Sequence, residues 1–196
     1  MKKSYIILIV IAVLVVGIFF WFKNSYNQMV TMNEGVSAQW SNVENQYQRR
    51  LDLIPNLVNT VKGYAAHEEG TLTEVTQARA KATQMQIQID QLDESALKKL
   101  NQVQGELSSA LSRLMAISEN YPDLKANQNF LELQRELSDT ESKIQATRQF
   151  YNTVVMRLNT QIEQFPSNIV ANLFNITPEK MFEIDATERA VPQVNF

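Results

Sequence analysis

The side chains best suited to binding a metal ion stand together at His67-Glu68-Glu69, which contains the single histidine of the chain. A zinc site needs three or four ligands, and a histidine pair on one helix face requires a spacing of four residues. One histidine and two adjacent carboxylates meet neither condition. We therefore interpret this segment as a solvated helix end, and we predict no metal site and no cofactor.

Other catalytic chemistry has no support in the sequence. Cysteine is missing, which excludes thiol nucleophiles, disulfides and a lipid-modified cysteine. No serine or threonine stands in the context of an activated nucleophile, and no glycine-rich loop suggests phosphate binding. Acids and bases are interspersed at a net charge of −3, so there is no basic stripe. The chain is predicted to be neither an enzyme nor a nucleic-acid-binding protein.

One charged cluster precedes Pro55. Glu44, Arg49, Arg50 and Asp52 are spaced so that a helix would bring them close together. Ion pairs at such spacings stabilise a helix by about 0.2–0.5 kcal/mol each, and the simple interpretation is a solvated helix face. The alternative is a corner that docks a partner through Arg49 and Arg50, because both cannot avoid the apolar stripe completely.

The strongest signal in the chain is the unbroken apolar run of residues 5–22, which lies between Lys2-Lys3 and Lys23. Its length fits a helix that crosses the ~30 Å hydrocarbon core of a bilayer. A cleaved signal peptide would have small residues at its end, whereas this run ends in an aromatic belt. We predict an uncleaved anchor in which the side chains that meet the bilayer and its interface include Tyr5, Phe19, Phe20, Trp21, Phe22 and Lys23.

The flanking charges predict the orientation of the anchor. Two lysines precede the run and only Lys23 follows it closely. The positive-inside rule then places the N-terminus in the cytoplasm and the rest of the chain outside it. We expect a single-pass protein of a bacterial inner membrane.

The remainder of the chain shows helical periodicity. Apolar residues recur at steps of three and four from Tyr26 to Leu51, and Trp40 and Tyr47 on this stripe are expected in a core rather than in a ligand groove. At Pro55 either a kink or a new helix fits the pattern. Gly70 is predicted to end this helical stretch as a C-cap, and residues 71–74 are predicted to form a capping box.

These patterns predict an all-α fold. A single transmembrane helix continues into an elongated antiparallel four-helix bundle with coiled-coil-like packing, followed by a short mixed tail. The predicted divisions are an anchor at 1–23, a long-helix bundle at 24–166 and a tail at 167–196.

The tail alternates apolar and polar residues at its end, where Val191, Val194 and Phe196 stand. In the simpler interpretation the tail caps the open end of the bundle. In the alternative, residues 191–196 add as a strand to a neighbouring copy or partner, or enter a groove of the PDZ type.

Several stretches together resemble the LemA family. The matching segments are residues 40–58, Gly63-Tyr64-Ala65-Ala66-His67-Glu68, residues 76–80, Phe150-Tyr151-Asn152, residues 165–168 and the ending Pro192-x-Val194-x-Phe196. The resemblance covers nearly the whole chain in the same order. It implies a bacterial, single-span, mostly helical protein without established enzymatic activity. It also implies a membrane metalloprotease or a TPM-domain protein as a partner.

Three functional hypotheses remain at this point. The first is a non-catalytic scaffold or adaptor on the lipid bilayer, which self-associates as a homo-oligomer because Val, Ile and Gly on the anchor surface allow lateral packing. The second is a regulatory partner of a membrane protease or other envelope enzyme. The third is an enzyme whose site is not recognisable from sequence.

Overall fold

The computed structural model describes residues 2–85 and 92–183, and within them it contains α-helices and no strand. The helices are α1 (Lys2–Tyr64), α2 (Glu69–Gln84), α3 (Glu94–Ile117), α4 (Pro122–Lys125), α5 (Gln128–Glu163) and α6 (Ser167–Leu173), with a 3-10 turn at Ser118–Asn120. The all-α prediction is confirmed. The apolar run and the first bundle arm form one helix of 63 residues, which is about 95 Å long at about 1.5 Å per residue.

Pro55 lies inside α1 and does not end it. Proline has no backbone N–H, so the carbonyl of Leu51, four residues earlier, has no helical donor at that position. Arg79 of α2 replaces the missing donor, because its Nε donates a hydrogen bond of 2.9 Å to the Leu51 carbonyl oxygen. Of the two alternatives at Pro55, a new helix is therefore excluded, because α1 continues through the proline with the support of a neighbouring arginine.

The boundary predicted near Gly70 is wrong. Helix α1 ends earlier, at Tyr64, and Gly70 lies in the first turn of α2, which begins at Glu69. No glycine of the described residues has a positive φ, so the left-handed C-cap is not formed there. An acidic residue in the first turn, Glu69, interacts favourably with the helix dipole, which explains a start before the expected capping box.

Helices α1 and α5 run antiparallel in a constant register. The Trp40 and Tyr151 ring centroids lie 5.7 Å apart. The Nε of Arg50 lies 2.9 Å from Glu141 Oε1, and Asn127 Nδ2 donates to Tyr64 Oη at 2.9 Å. From the first pair to the third, each step along α1 is matched by an equal step back along α5. The two helices therefore keep one alignment over most of their shared length.

The core is divided into a membrane-distal and a membrane-proximal part. All four long helices contribute to the distal part, which includes Leu57, Val75, Leu111 and Phe130. In the proximal part α2 contributes no fully buried residue, and its place is taken by α6 and the segment that follows it. The four-helix arrangement therefore applies to the distal part, whereas α1 and α5 with α6 form most of the part nearer the membrane.

Candidate interaction sites

The predicted anchor is free of contacts along most of its length. Tyr5 is 62% exposed, Phe19 62%, Phe20 54% and Trp21 39%. Of the described helices, only the one that contains these residues is long and apolar enough to cross a membrane, and none of its apolar window is buried. Because so large an apolar surface is unfavourable in water, it indicates a single-pass membrane anchor. Lys23 is exposed directly after the anchor.

The two arginines of the charged cluster have different surroundings. Arg50 is only 2% exposed and lies between the two parts of the core. Its Nη1 donates to Gln104 Oε1 at 3.2 Å and its Nη2 to Ser108 Oγ at 2.6 Å. Burial lowers the pKa of Arg50, while the nearby carboxylate of Glu141 opposes this effect. Arg50 therefore ties α1 to α3 and α5 inside the bundle.

Arg49, in contrast, is exposed. A docking role for Arg49 stays a prediction, whereas Arg50 has no free surface to offer a partner. The stripe residues Trp40 and Tyr47 are 3% and 7% exposed, so the prediction that they belong to the core is confirmed.

A cavity of about 240 Å³ lies next to the buried contact between Arg50 and Gln104. Its lining residues include Glu44, Tyr47 and Gln104. Burial raises the pKa of the Tyr47 hydroxyl. It also raises the pKa of the Glu44 carboxyl, although a hydrogen bond from Trp40 acts in the opposite direction and lowers it. Side chains in this arrangement can hold water molecules but include no activated nucleophile. The described residues also contain no group of side chains that could hold a metal ion.

The segment of residues 174–183, which we call the C-terminal strap, is bound to α5 by two asparagines. Asn159 accepts a hydrogen bond from the Glu179 N–H and donates one to the Glu179 carbonyl, each 2.9 Å long. Asn152 does the same with Phe182, at 2.8 and 2.9 Å. Each amide side chain thus pairs with both the N–H and the C=O of one residue, as a residue of a neighbouring antiparallel strand would.

The spacing of these contacts explains the shape of the strap. Asn152 and Asn159 are seven residues apart on α5, which corresponds to about 10.5 Å of helix. Glu179 and Phe182 are three residues apart, which corresponds to about 10 Å only if the chain is extended. Two helical turns of α5 therefore match three extended residues of the strap, and no helix forms over residues 181–183.

Phe182 fixes the end of this strap. Its ring stacks on Trp40 at 5.9 Å and meets the Tyr151 ring edge-on at 5.4 Å. The guanidinium of Arg148 lies 4.6 Å from the centre of the same ring, which is a favourable cation–π geometry. Sequence reasoning missed this site. The available signal was a pair of asparagines one heptad apart beside the apolar stripe of α5.

The other residues singled out in the sequence belong to the His67 segment and to the end of the tail. His67 is exposed, as a solvated helix end requires, and Tyr121 donates a hydrogen bond of 3.3 Å to the neighbouring Glu68. Val191, Val194 and Phe196 lie outside the described residues, so their role stays a prediction.

Comparison with known proteins relates the chain to one family. The sequence profile of the LemA family matches residues 39–196. Protein LemA of Metamycoplasma hominis is 27% identical over 190 residues, which cover 96% of this chain and 82% of that protein.

Two magnetosome proteins are also similar. Magnetosome protein MamQ 2 of Paramagnetospirillum magneticum is 28% identical over 175 residues, which cover 81% of this chain and 64% of that protein. Magnetosome protein MamQ of Magnetospirillum gryphiswaldense is 30% identical over 163 residues, which cover 74% of this chain and 60% of that protein. The chain thus spans less than two thirds of the length of these magnetosome relatives.

Proposed function

The chain belongs to the LemA family, and from this premise and the geometry of α1 we propose that it is a membrane-anchored scaffold or adaptor without catalytic activity. The observation that carries this proposal is the continuity of α1 from the apolar run into the core. The helix extends about 60 Å beyond Lys23 without interruption, so it holds the bundle at a fixed height above the bilayer. A rigid helix of this kind is suited to holding partners at a fixed distance from the membrane, whereas a flexible tether would let them move.

The bundle is proposed to lie outside the cytoplasm of a bacterial cell, with the N-terminus inside and the anchor in the inner membrane. The lysines on either side of the apolar run support this orientation. A cysteine introduced at exposed Arg49 would be labelled by a membrane-impermeant maleimide in intact spheroplasts. Labelling only after lysis would contradict the orientation.

Self-assembly of the anchor is the second part of the proposal. None of the apolar window of the span is buried within one copy, and Gly17 has no atom within 4 Å of an added Cβ. A glycine on a lipid-facing helix lets a second helix approach closely. Gly17→Leu should therefore weaken association, whereas Ala12→Leu, which adds bulk roughly 140° away around the helix, should not.

The test is the mass of the full chain extracted in native lipid discs, with co-purifying proteins identified. A homo-oligomer that Gly17→Leu disrupts and Ala12→Leu preserves supports the scaffold. A monomer without any stoichiometric protein contradicts it.

A regulatory partner of a membrane protease is the second candidate. The observation that favours it is a half-open groove of about 570 Å³ beside the strap, bordered by Met156, Met181 and Phe182. Flexible methionine surfaces adapt to varied peptide segments. A protease recovered in equal amount from the same discs would favour this candidate over the scaffold.

A further inference from the structure

We propose that the corner between α5 and α6 is a second contact with the lipid bilayer, in addition to the anchor. Three apolar side chains project from it, and all are freely exposed. Phe165 is 80% exposed, Leu173 is 66% exposed and Ile169 is 53% exposed. Among the large apolar residues that the structure describes, Phe165 has the largest exposed fraction.

The corner lies at the level where the membrane span ends. Phe174, directly after α6, packs its ring 5.9 Å from Phe22, the last residue of the apolar run. The same ring lies 4.4 Å from Tyr26, one turn further along α1. This end of α6 is therefore held beside the boundary of the hydrocarbon core.

The register of α1 and α5 places the other end of the corner at a similar height. Continued from the Trp40–Tyr151 pair, it brings Phe165 opposite Tyr26. Tyr26 is four residues beyond Phe22, or about 6 Å along the helix axis. The headgroup region is roughly 5–7 Å thick on each side, so Phe165 and Leu173 both fall within it.

The exposed side chains belong to a firmly held element. Val170 and Ala171 of α6 are 0% and 1% exposed in the core against α1 and α5. Ser167 donates hydrogen bonds to the carbonyls of Gln161 and Gln164, which fixes the turn between the helices. The apolar face of α6 therefore cannot turn inward, and it is left facing outward at the height of the headgroups.

The lack of charged residues on α6 indicates the chemistry of the surface that it contacts. Neither acidic nor basic residues occur in Ser167–Leu173. A surface that binds through anionic lipids carries Lys and Arg, whereas this one offers only apolar area. The contact is therefore with the boundary between headgroups and acyl chains, and it should be insensitive to lipid charge and to salt.

The chain contains no cysteine, which allows a direct test. Single cysteines replace Phe165 or Leu173 in the full chain, carry an environment-sensitive NBD dye, and are reconstituted in zwitterionic phosphatidylcholine vesicles. Phe150→Cys is the matched control, because Phe150 is 65% exposed on α5 but next to Tyr151, at the level of Trp40. That level is about 27 Å beyond Phe22. Leu14→Cys, in the span, reports whether the anchor has inserted.

We expect blue-shifted emission at positions 165 and 173 that is lost when the lipids carry a doxyl quencher near the headgroups. Emission at position 150 should stay that of a dye in water, and none of the signals should change at high salt. A blue shift without quenching would mean that a second copy covers the corner, and it would overturn the proposal. Aqueous emission at 165 and 173 together with blue-shifted emission at 14 would also overturn it while leaving the anchor intact. Aqueous emission at 14 would instead contradict the membrane anchor itself.

Discussion

The contact between Arg79 and the Leu51 carbonyl predicts an energetic coupling between Arg79 and Pro55, which are 24 positions apart in the sequence. Pro55 removes the backbone donor that this carbonyl would use, and Arg79 Nε supplies another at 2.9 Å. Leu51 is 5% exposed, so water cannot easily replace the arginine. Arg79→Met keeps most of the apolar stem and removes the donor. Its effect should therefore depend on whether residue 55 is proline.

The expected magnitude follows from the partners of the carbonyl. In the natural chain Arg79→Met removes a hydrogen bond from a charged donor and leaves a largely buried carbonyl unsatisfied, which costs about 1.5–3 kcal/mol. In a Pro55→Ala background the new backbone N–H donates to the same carbonyl. Arg79→Met then removes only a second partner, and we expect a loss of about 0.5 kcal/mol. The difference between the two backgrounds, about 1 kcal/mol or more, is the coupling free energy.

The assay is urea unfolding of the full chain in detergent, followed by far-UV circular dichroism, for the four combinations of these two positions. Urea is preferred to guanidinium because it does not screen ion pairs. Arg113→Met is the matched control, since Arg113 Nε also has an acceptor at 2.9 Å, the carboxylate of Glu74, but on the exposed surface. It should cost about 0–1 kcal/mol in both backgrounds. Equal losses for Arg79→Met with Pro55 and with Ala at position 55 would refute the explanation of the continuous helix.

Three further outcomes are expected. Gly35→Ala should stabilise the fold by about 0.5–1 kcal/mol in urea, because the new Cβ would lie 3.7 Å from Val154 Cγ1 in ordinary contact; a loss of stability would contradict this packing. Asn152→Asp keeps the acceptor for the Phe182 N–H but removes the donor to its carbonyl, so hydrogen exchange at Phe182 should accelerate by roughly tenfold, or about 1.4 kcal/mol, and unchanged exchange would contradict the pairing. Burial raises the pKa of Glu179 above 4.5, so Glu179→Gln should be more stable than the natural chain at neutral pH. This difference should shrink as the pH falls through the raised pKa and disappear below about 4.5, and a gap that widens on acidification would reverse the sign of the argument.

The spacing of apolar residues was sufficient to predict the long helices and most of the residues that form the core. Apolar residues at steps of three and four identify the buried face of α1, since a helix brings such positions to one side. Trp40 and Val43 lie on this face and are 3% and 0% exposed. The apolar residues Ile169, Val170 and Leu173 also have helical spacing, and they lie in α6.

Pairings between distant segments were not predictable in the same way. Arg50 stands in a cluster of charges, and only the register of α1 against α3 and α5 decides that it meets Gln104 and Glu141 inside the bundle. The same holds for Asn152 and the strap, since an asparagine on a helix face is ordinarily solvated. Such contacts depend on alignment between helices, which the spacing within one helix does not contain.

The sequence alone determined that an apolar helix of membrane length begins this chain and that long amphipathic helices follow it. Both properties are local, because they depend on the hydrophobicity and spacing of neighbouring residues. The tertiary structure decided that α1 passes through Pro55, that Arg50 is internal, and that the corner at Phe165 faces outward beside the end of the span. Each of these depends on which atoms of a second helix come within a few ångströms, and only the folded arrangement of the helices sets those distances.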